Sequence, residues 1–216
     1  MKNKLIILAL FLAVQGLHAQ GTFQNLNFEM ATLVSSGGVL PYVVASSALP
    51  NWTAYIGTDP VNSILYNDRT LGSPAVSIHD TASPFVRPLN GSYSIVLQHS
   101  SGGNSASASI GQTGQLPADS LSVVFHAVRV QNLQVTFDGI ALPLTQIESR
   151  TNYSVMSADI SSFAGRTGQL RFTEFRFVDF GGVALDNIRF VPEPGMIALT
   201  GIGACLFGFR RWLRGK

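Results

Sequence analysis

Three histidines fall within the body of the chain: His79, His99 and His126. Histidine is the side chain best placed to move protons near neutral pH, so these are the first positions to test for chemistry. None stands in an H-E-x-x-H metalloprotease pattern. His79 is followed directly by Asp80, yet adjacent residues of a strand point to opposite faces. His126 sits in the apolar run "LSVVFHA" and reads as a structural residue. There is no G-x-S-x-G elbow, no phosphate loop and no G-x-G-x-x-G turn after a strand. The single cysteine, Cys205, lies in an apolar run near the C-terminus, so it is neither a nucleophile nor half of an internal disulfide, and no cysteine cluster can hold zinc. A carboxylate pair for glycoside hydrolysis is set by space rather than by sequence spacing, which keeps a secreted glycoside hydrolase as the alternative enzyme class.

Two other groups of residues have chemistry of their own. Glu29 closes "NLNFE" and Asp186 sits in "LDNIRF", at the two ends of the body. If the first and last strands pair, these carboxylates approach one another. Calcium takes six to eight oxygens, which two carboxylates and nearby backbone carbonyls can supply; the plain alternative is two solvated or capping carboxylates. The aromatics Trp52, Tyr55, Tyr66, Phe85 and Tyr93 lie in or near the loop-rich first half. Aromatic faces stack on sugar rings. Tyr93 alternates with Ile95 and Leu97 and belongs in a core; Trp52 suits a core plug or a sugar platform; Tyr55 and Tyr66 are the better candidates for an exposed platform.

The elements that must position these residues read as strands. "GTFQNLNFE" (21–29) predicts a first strand and "PNWTAYIG" (50–57) another. "GSYSIVLQH" (91–99) alternates, "SASASIGQT" (105–113) alternates small residues, and "LSVVFHA" (121–127) reads as buried. Asp138-Gly139 between two β-type runs predicts a type I′ hairpin, in which both turn residues need φ > 0. "NYSVMSADI", "GQLRFTEFRF" and "VALDNIRF" follow, with one helical turn capped by Asp159 in 159–168. The stretches 35–48 and 57–90 read as loops rich in turn-forming X-Pro pairs. About nine strands with no long 3.6-residue period predict an all-β fold: a single β-sandwich over residues 20–190.

Composition agrees. Of 216 residues, 46% are hydrophobic and only 12% are charged, about half the usual charged share. The net charge of +2 is a property of the ends: residues 20–190 hold eight arginines, no lysine and eleven acids. A nucleic-acid partner requires a basic surplus on the folded face, so none is expected. Lys2 and Lys4, then the apolar run 5–14, then "LHA" predict a secretory signal peptide over 1–19.

The chain ends "VPEPGMIALTGIGACLFGFRRWLRGK". Val191-Pro192-Glu193-Pro194, the apolar span 195–209 and Arg210-Arg211 resemble the PEP-CTERM sorting signal of exported Gram-negative proteins. The resemblance implies an exosortase-type processing enzyme as partner, cleavage near Pro192-Glu193-Pro194, and a link with exopolysaccharide. As a helix, fifteen residues reach about 22 Å, short of a hydrocarbon core of about 30 Å. The basic residues that follow favour a cytoplasmic C-terminus. A short transmembrane sorting helix that touches the membrane transiently is thus expected over 191–216, with a permanent single-span anchor as the rival.

The body resembles a galactose-binding-type jelly roll of the kind found in carbohydrate-binding modules. "NLNFE", "LPNWT", "LNGSYSIVLQ", "IGQTGQLPADSLSVVFHA", "LQVTFDGIAL" and "LDNIRF" carry the likeness. It implies a possible polysaccharide ligand and a structural calcium held by Glu29 and Asp186, although position 187 is Asn where the family has a second acid. The expected protein is non-catalytic, exported to the envelope or extracellular surface, and carbohydrate-binding. The alternative is a structural or adhesive surface protein without a glycan pocket.

Overall fold

A computed structural model describes residues 21–37, 41–101, 106–176 and 182–192. The expected signal peptide and most of the sorting signal, including Glu193, Pro194, the span 195–209, Arg210 and Arg211, lie outside the described residues. Among the described residues, fourteen strands form two sheets. The larger has eight strands in the order β1 (Tyr42–Val44), β4 (Ser63–Tyr66), β5 (Ala75–His79), β6 (Ser94–Gln98), β14 (Val183–Pro192), β8 (Ser120–Val128), β12 (Ser154–Asp159) and β11 (Leu144–Ser149). The smaller has six: β10 (Ile140–Leu142), β9 (Leu133–Phe137), β13 (Thr167–Glu174), β7 (Ala108–Gln115), β2 (Thr53–Ile56) and β3 (Asp59–Pro60). One short helix, α1 (Ala45–Ala48), follows β1. The described ladders are antiparallel apart from β4 with β5. The last strand inserts between β6 and β8 in the middle of its sheet, and such crossovers make the sandwich a jelly roll.

Alternation along the strands builds the core. Val123, Phe125 and Ala127 of β8, Val183 and Leu185 of β14, and Ile95 and Leu97 of β6 face inward from one sheet. Ala108 and Ile110 of β7, Val135 and Phe137 of β9, and Leu170 and Phe172 of β13 meet them from the other. The small residues of β7 let β2 and β13 pack on both sides of it, as its sequence predicts. The β9–β10 turn is also as expected: Asp138 and Gly139 have φ of 49° and 77°, the pair a type I′ turn requires. Asp159 Oδ1 accepts hydrogen bonds from the Ser161 N–H (2.8 Å) and Oγ–H (2.7 Å) at the entrance to the 3₁₀ turn Ser161–Phe163, whose N-cap position is Ile160 rather than Asp159.

Two expectations change. The segment 21–29 is not a strand. Its chain turns at Asn25 and Phe28, where φ is 51° and 60°, and drops Phe23, Leu26 and Phe28 into the core as a plug. Asn25 holds the turn: its Nδ2 donates to Pro50 O (3.1 Å) and its Oδ1 accepts from Met30 N–H (3.0 Å). The stretches 35–48 and 57–90 are not simply loops; they contain β1, α1, β3, β4 and β5. Every residue of β5 is buried. A strand covered on both faces loses the polar alternation by which sequence reveals it. Finally, β14 runs through Val191 and Pro192, so the first proline of V-P-E-P is still part of the sandwich.

Candidate functional site

The outer face of the eight-stranded sheet is where the fold leaves room. Ser77, Val96, Ala184 and Val128 are register partners in one row across β5, β6, β14 and β8. Small and medium side chains in a row form a trough rather than a ridge. Over the trough lies a cavity of about 390 Å³, within the range of small-ligand sites. Val96, Val128, Ala184 and His79 contribute to its lining from the sheet, and Phe85, Val86, Pro88 and Leu89 from the loop between β5 and β6. Arg69, Arg87 and Arg129 also line it, and none of its lining residues is an acid.

His79 ties that loop to the sheet. It is fully buried; its Nε2 meets Ser77 Oγ at 2.9 Å and its Nδ1 meets Ser83 Oγ at 2.7 Å. Ser83 Oγ in turn accepts from the N–H groups of Phe85 (3.2 Å) and Val86 (3.3 Å). Burial pushes the imidazole down to about 4, against the smaller pull of Asp68 and Asp80. His79 is therefore neutral at physiological pH and acts as a strut that sets Phe85 at the cavity wall. Phe85 is 41% exposed, and the Arg69 guanidinium lies 4.5 Å from its ring centre.

The three aromatics singled out by sequence do not form one platform. Trp52 is a core plug: it is 5% exposed, its Nε1–H donates to Asn25 O (3.0 Å), and its ring packs against Phe28 and Phe172 at 5.8 and 6.2 Å. Tyr55 stands on the outer face of the other sheet, 4.1 Å beneath the Arg171 guanidinium. Tyr66 donates its hydroxyl proton to Asp80 Oδ2 (2.6 Å), and that contact, more than burial, pushes its pKa up to about 12.

Glu29 and Asp186 do converge, through a loop rather than through strand pairing. Glu29 Oε1 accepts from the N–H groups of Ser92 (2.8 Å) and Tyr93 (3.1 Å). Asp186 Oδ2 accepts from Asn90 N–H and Ser94 Oγ–H, both at 2.7 Å, and its Oδ1 accepts from Asn187 N–H at 2.6 Å. Between them sits Gly91 with φ of 62°, where a Cβ would strike the Glu29 carboxylate. The two acids clasp the loop 89–93, which also carries Leu89 to the cavity. Asp186 is fully buried; desolvation, with a smaller push from Glu29, raises it to about 6 despite its three donors.

This donor set does not fit a calcium cage. Asp186 Oδ2 and Glu29 Oε1 each already accept two hydrogen bonds, and a cation would have to displace amide N–H groups that repel it. Among the described residues no group of three or more His, Cys, Asp or Glu is placed to hold a metal ion.

No protein-family model and no curated protein matches the chain. Solved structures similar to it include the Stig cyclase Fisc from Fischerella sp. TAU, at 15% identity and a TM-score of 0.45, over 81% of this chain and 98% of that one. The K2 cleaved adhesin domain of Lys-gingipain is similar at 13% identity and a TM-score of 0.43, over 76% and 96%. The family 11 carbohydrate-binding module of Clostridium thermocellum, in complex with a β-1,3-1,4-mixed-linked tetrasaccharide, is similar at 14% identity and a TM-score of 0.36, over 74% and 94%. The functional reading rests on the side chains of this chain's own cavity.

Of the aromatics that the sequence singles out, Phe85 lines the cavity and Trp52, Tyr55 and Tyr66 do not; Arg87 and Leu89 were not singled out. The signal was present in "SPFVRPLNG": Pro84 and Pro88 stiffen a segment that offers Phe85, Arg87 and Leu89 between them and just beyond. His126, read as structural, stacks on Tyr153 at 4.3 Å and meets Asn187 Nδ2 through its Nε2 at 3.2 Å, while its buried Nδ1 has no hydrogen-bond partner among the described residues.

Proposed function

We propose that the protein is a non-catalytic carbohydrate-binding protein whose ligand occupies the cavity on the eight-stranded sheet. The observation that carries the reading is the cavity itself: a trough of small side chains, an exposed aromatic on its wall, and guanidiniums around it. A sugar presents the complement, an apolar ring face and a belt of hydroxyls. Catalysis is disfavoured by the state of the one histidine at the cavity. His79 beside Ser83 imitates a base and its nucleophile, but a base pushed down to about 4 is weak at neutral pH. Its far nitrogen meets Ser77 rather than an orienting carboxylate, and Glu29 and Asp186 are engaged with backbone amides.

The test is calorimetric titration of the full chain, in detergent, with a panel of neutral and acidic oligosaccharides. Binding is expected, and Phe85→Ala should weaken it by about tenfold, the loss of one aromatic contact of about 1.4 kcal/mol. Failure of every glycan to bind would leave the structural or adhesive reading in its place.

We propose further that the protein is exported and handed to an exosortase-type enzyme at the envelope. The support is the sequence of residues 1–19 and 191–216; no helix among the described residues is long and apolar enough to cross a membrane. Intact mass should show the C-terminal segment removed near Pro192 in a host that carries such an enzyme and retained in one that lacks it. Retention in both would sink the sorting reading.

A further inference from the structure

We propose that the sugar in the cavity is acidic: a uronic acid residue whose carboxylate is read by the arginines. The proposal rests on the cavity being the glycan site and names the class of glycan. The body of the chain carries eight arginines against eleven acids. An excess of negative charge would repel an acidic polymer, unless positive charge were concentrated where the polymer docks. Three of the eight arginines line this one cavity, and no acid does.

Their geometry suits a carboxylate. The Arg69 guanidinium lies 4.5 Å from the Phe85 ring centre, so a sugar packed on Phe85 meets its charge. A guanidinium grips a carboxylate in a two-point fork. Arg87 is held between Pro84 and Pro88, and the residue before a proline has few backbone states. Arg129 adopts a left-handed conformation, with φ of 62°. For a residue with a long side chain this is uncommon, and here it occurs at a residue that lines the cavity.

Two arginines elsewhere are engaged by an ion pair or by hydrogen bonds. Arg150 pairs with Glu148 at 2.6 Å. Arg171 donates to Ser109 Oγ and to Gly57 O. Arg69 and Arg87 donate no hydrogen bond from their guanidiniums to any described residue. No acid lines the cavity: Asp68 accepts the Arg69 backbone N–H, Asp80 is held by the Tyr66 hydroxyl, Asn67 Nδ2 and Ala82 N–H, and Asp186 by its three donors. A ring face for Phe85 and a carboxylate for the arginine edges belong to one molecule in a uronic acid.

The experiment is calorimetric titration of the full chain, in detergent at low salt, with three probes: tri-galacturonate, the neutral galactose trimer, and inorganic sulfate. Tri-galacturonate should bind at least about tenfold more tightly than the neutral trimer, and added salt should weaken only the former. The double variant Arg69→Gln/Arg87→Gln should lose that preference while its circular dichroism stays unchanged. Equal binding of both trimers, with the double variant unaffected, would overturn the acidic assignment and leave a neutral glycan site. Sulfate bound as tightly as tri-galacturonate would overturn it in favour of a bare anion site. No binding of either trimer would remove the glycan reading as well.

Discussion

Trp52→Ala should cost about 3–5 kcal/mol of folding stability, the range for a large aromatic removed from a packed core. Three losses add at this position. The ring leaves a hole between Phe28 and Phe172, its neighbours at 5.8 and 6.2 Å. The Nε1–H bond to Asn25 O disappears, and Asn25 is the residue that turns the N-terminal plug. The plug itself, Phe23, Leu26 and Phe28, then loses the wall it rests on. The measurement is urea denaturation of the full chain followed by far-ultraviolet circular dichroism. Trp52→Phe, which keeps an aromatic in the site, should recover more than half of the loss. A sugar platform would behave in the opposite way, with alanine sparing stability and abolishing glycan binding. A loss below about 1 kcal/mol, the usual level for a surface change, would show that Trp52 is not the core plug the structure describes.

Trp52, which the sequence leaves open between a core plug and a sugar platform, shows where sequence stops being informative. An isolated tryptophan after a proline has the same local pattern whether it plugs a sandwich or faces a ligand; only its neighbours from 28 and 172 decide, and they are remote in the chain. The parts that were legible are those in which the reason is local. Tyr93, Ile95 and Leu97 alternate because β6 has a core face. Asp138-Gly139 announces its turn because few other pairs tolerate two positive φ values. Asp159 accepts hydrogen bonds from Ser161 at the start of the turn that follows it. The N-terminal segment deceived for a visible reason: Phe23, Leu26 and Phe28 are spaced three and then two apart, which breaks the period of a strand. The extra residue is absorbed by the left-handed turn at Asn25.

The candidate site was half legible for the same reason. Glu29 and Asp186 were expected to approach because they end the first and last segments, and those segments do touch, through the Ile188 N–H bond to Leu26 O at 2.8 Å. What brings the carboxylates together is the loop 89–93, whose amides complete them. The cavity depends on four strands lying in register and on a loop pinned by His79. Register between β5, β6, β14 and β8 is a long-range property, and no spacing in the chain states it.

His79 and Asp186 should give the protein opposing pH dependences that largely cancel. Both are buried on the outer face of the eight-stranded sheet. His79 is held at about 4, against an ordinary 6.5. As pH falls through 6.5 the unfolded chain takes up that proton and the folded chain does not, so stability is lost until about pH 4, by roughly 3 kcal/mol. Asp186 is held at about 6, against an ordinary 3.8. Its buried charge weakens the fold by roughly 3 kcal/mol at neutral pH. As pH falls through 6 the folded chain is the one that gains the proton first, and this penalty is relieved, fully so below about 3.8. His126, also held below its ordinary value chiefly by burial, adds a smaller loss on the acid side. The wild-type profile between pH 6.5 and 4 should therefore be shallow. Asp186→Asn removes the relief and should expose the histidine loss, so that its stability falls steeply over that interval. His79→Gln, which keeps partners for Ser77 and Ser83, should do the reverse and gain stability on acidification. Urea denaturation of the three proteins at several pH values between 6.5 and 4 reads these slopes independently of any offset that the substitutions cause. Three parallel profiles would mean that neither side chain titrates in the folded protein as its burial requires.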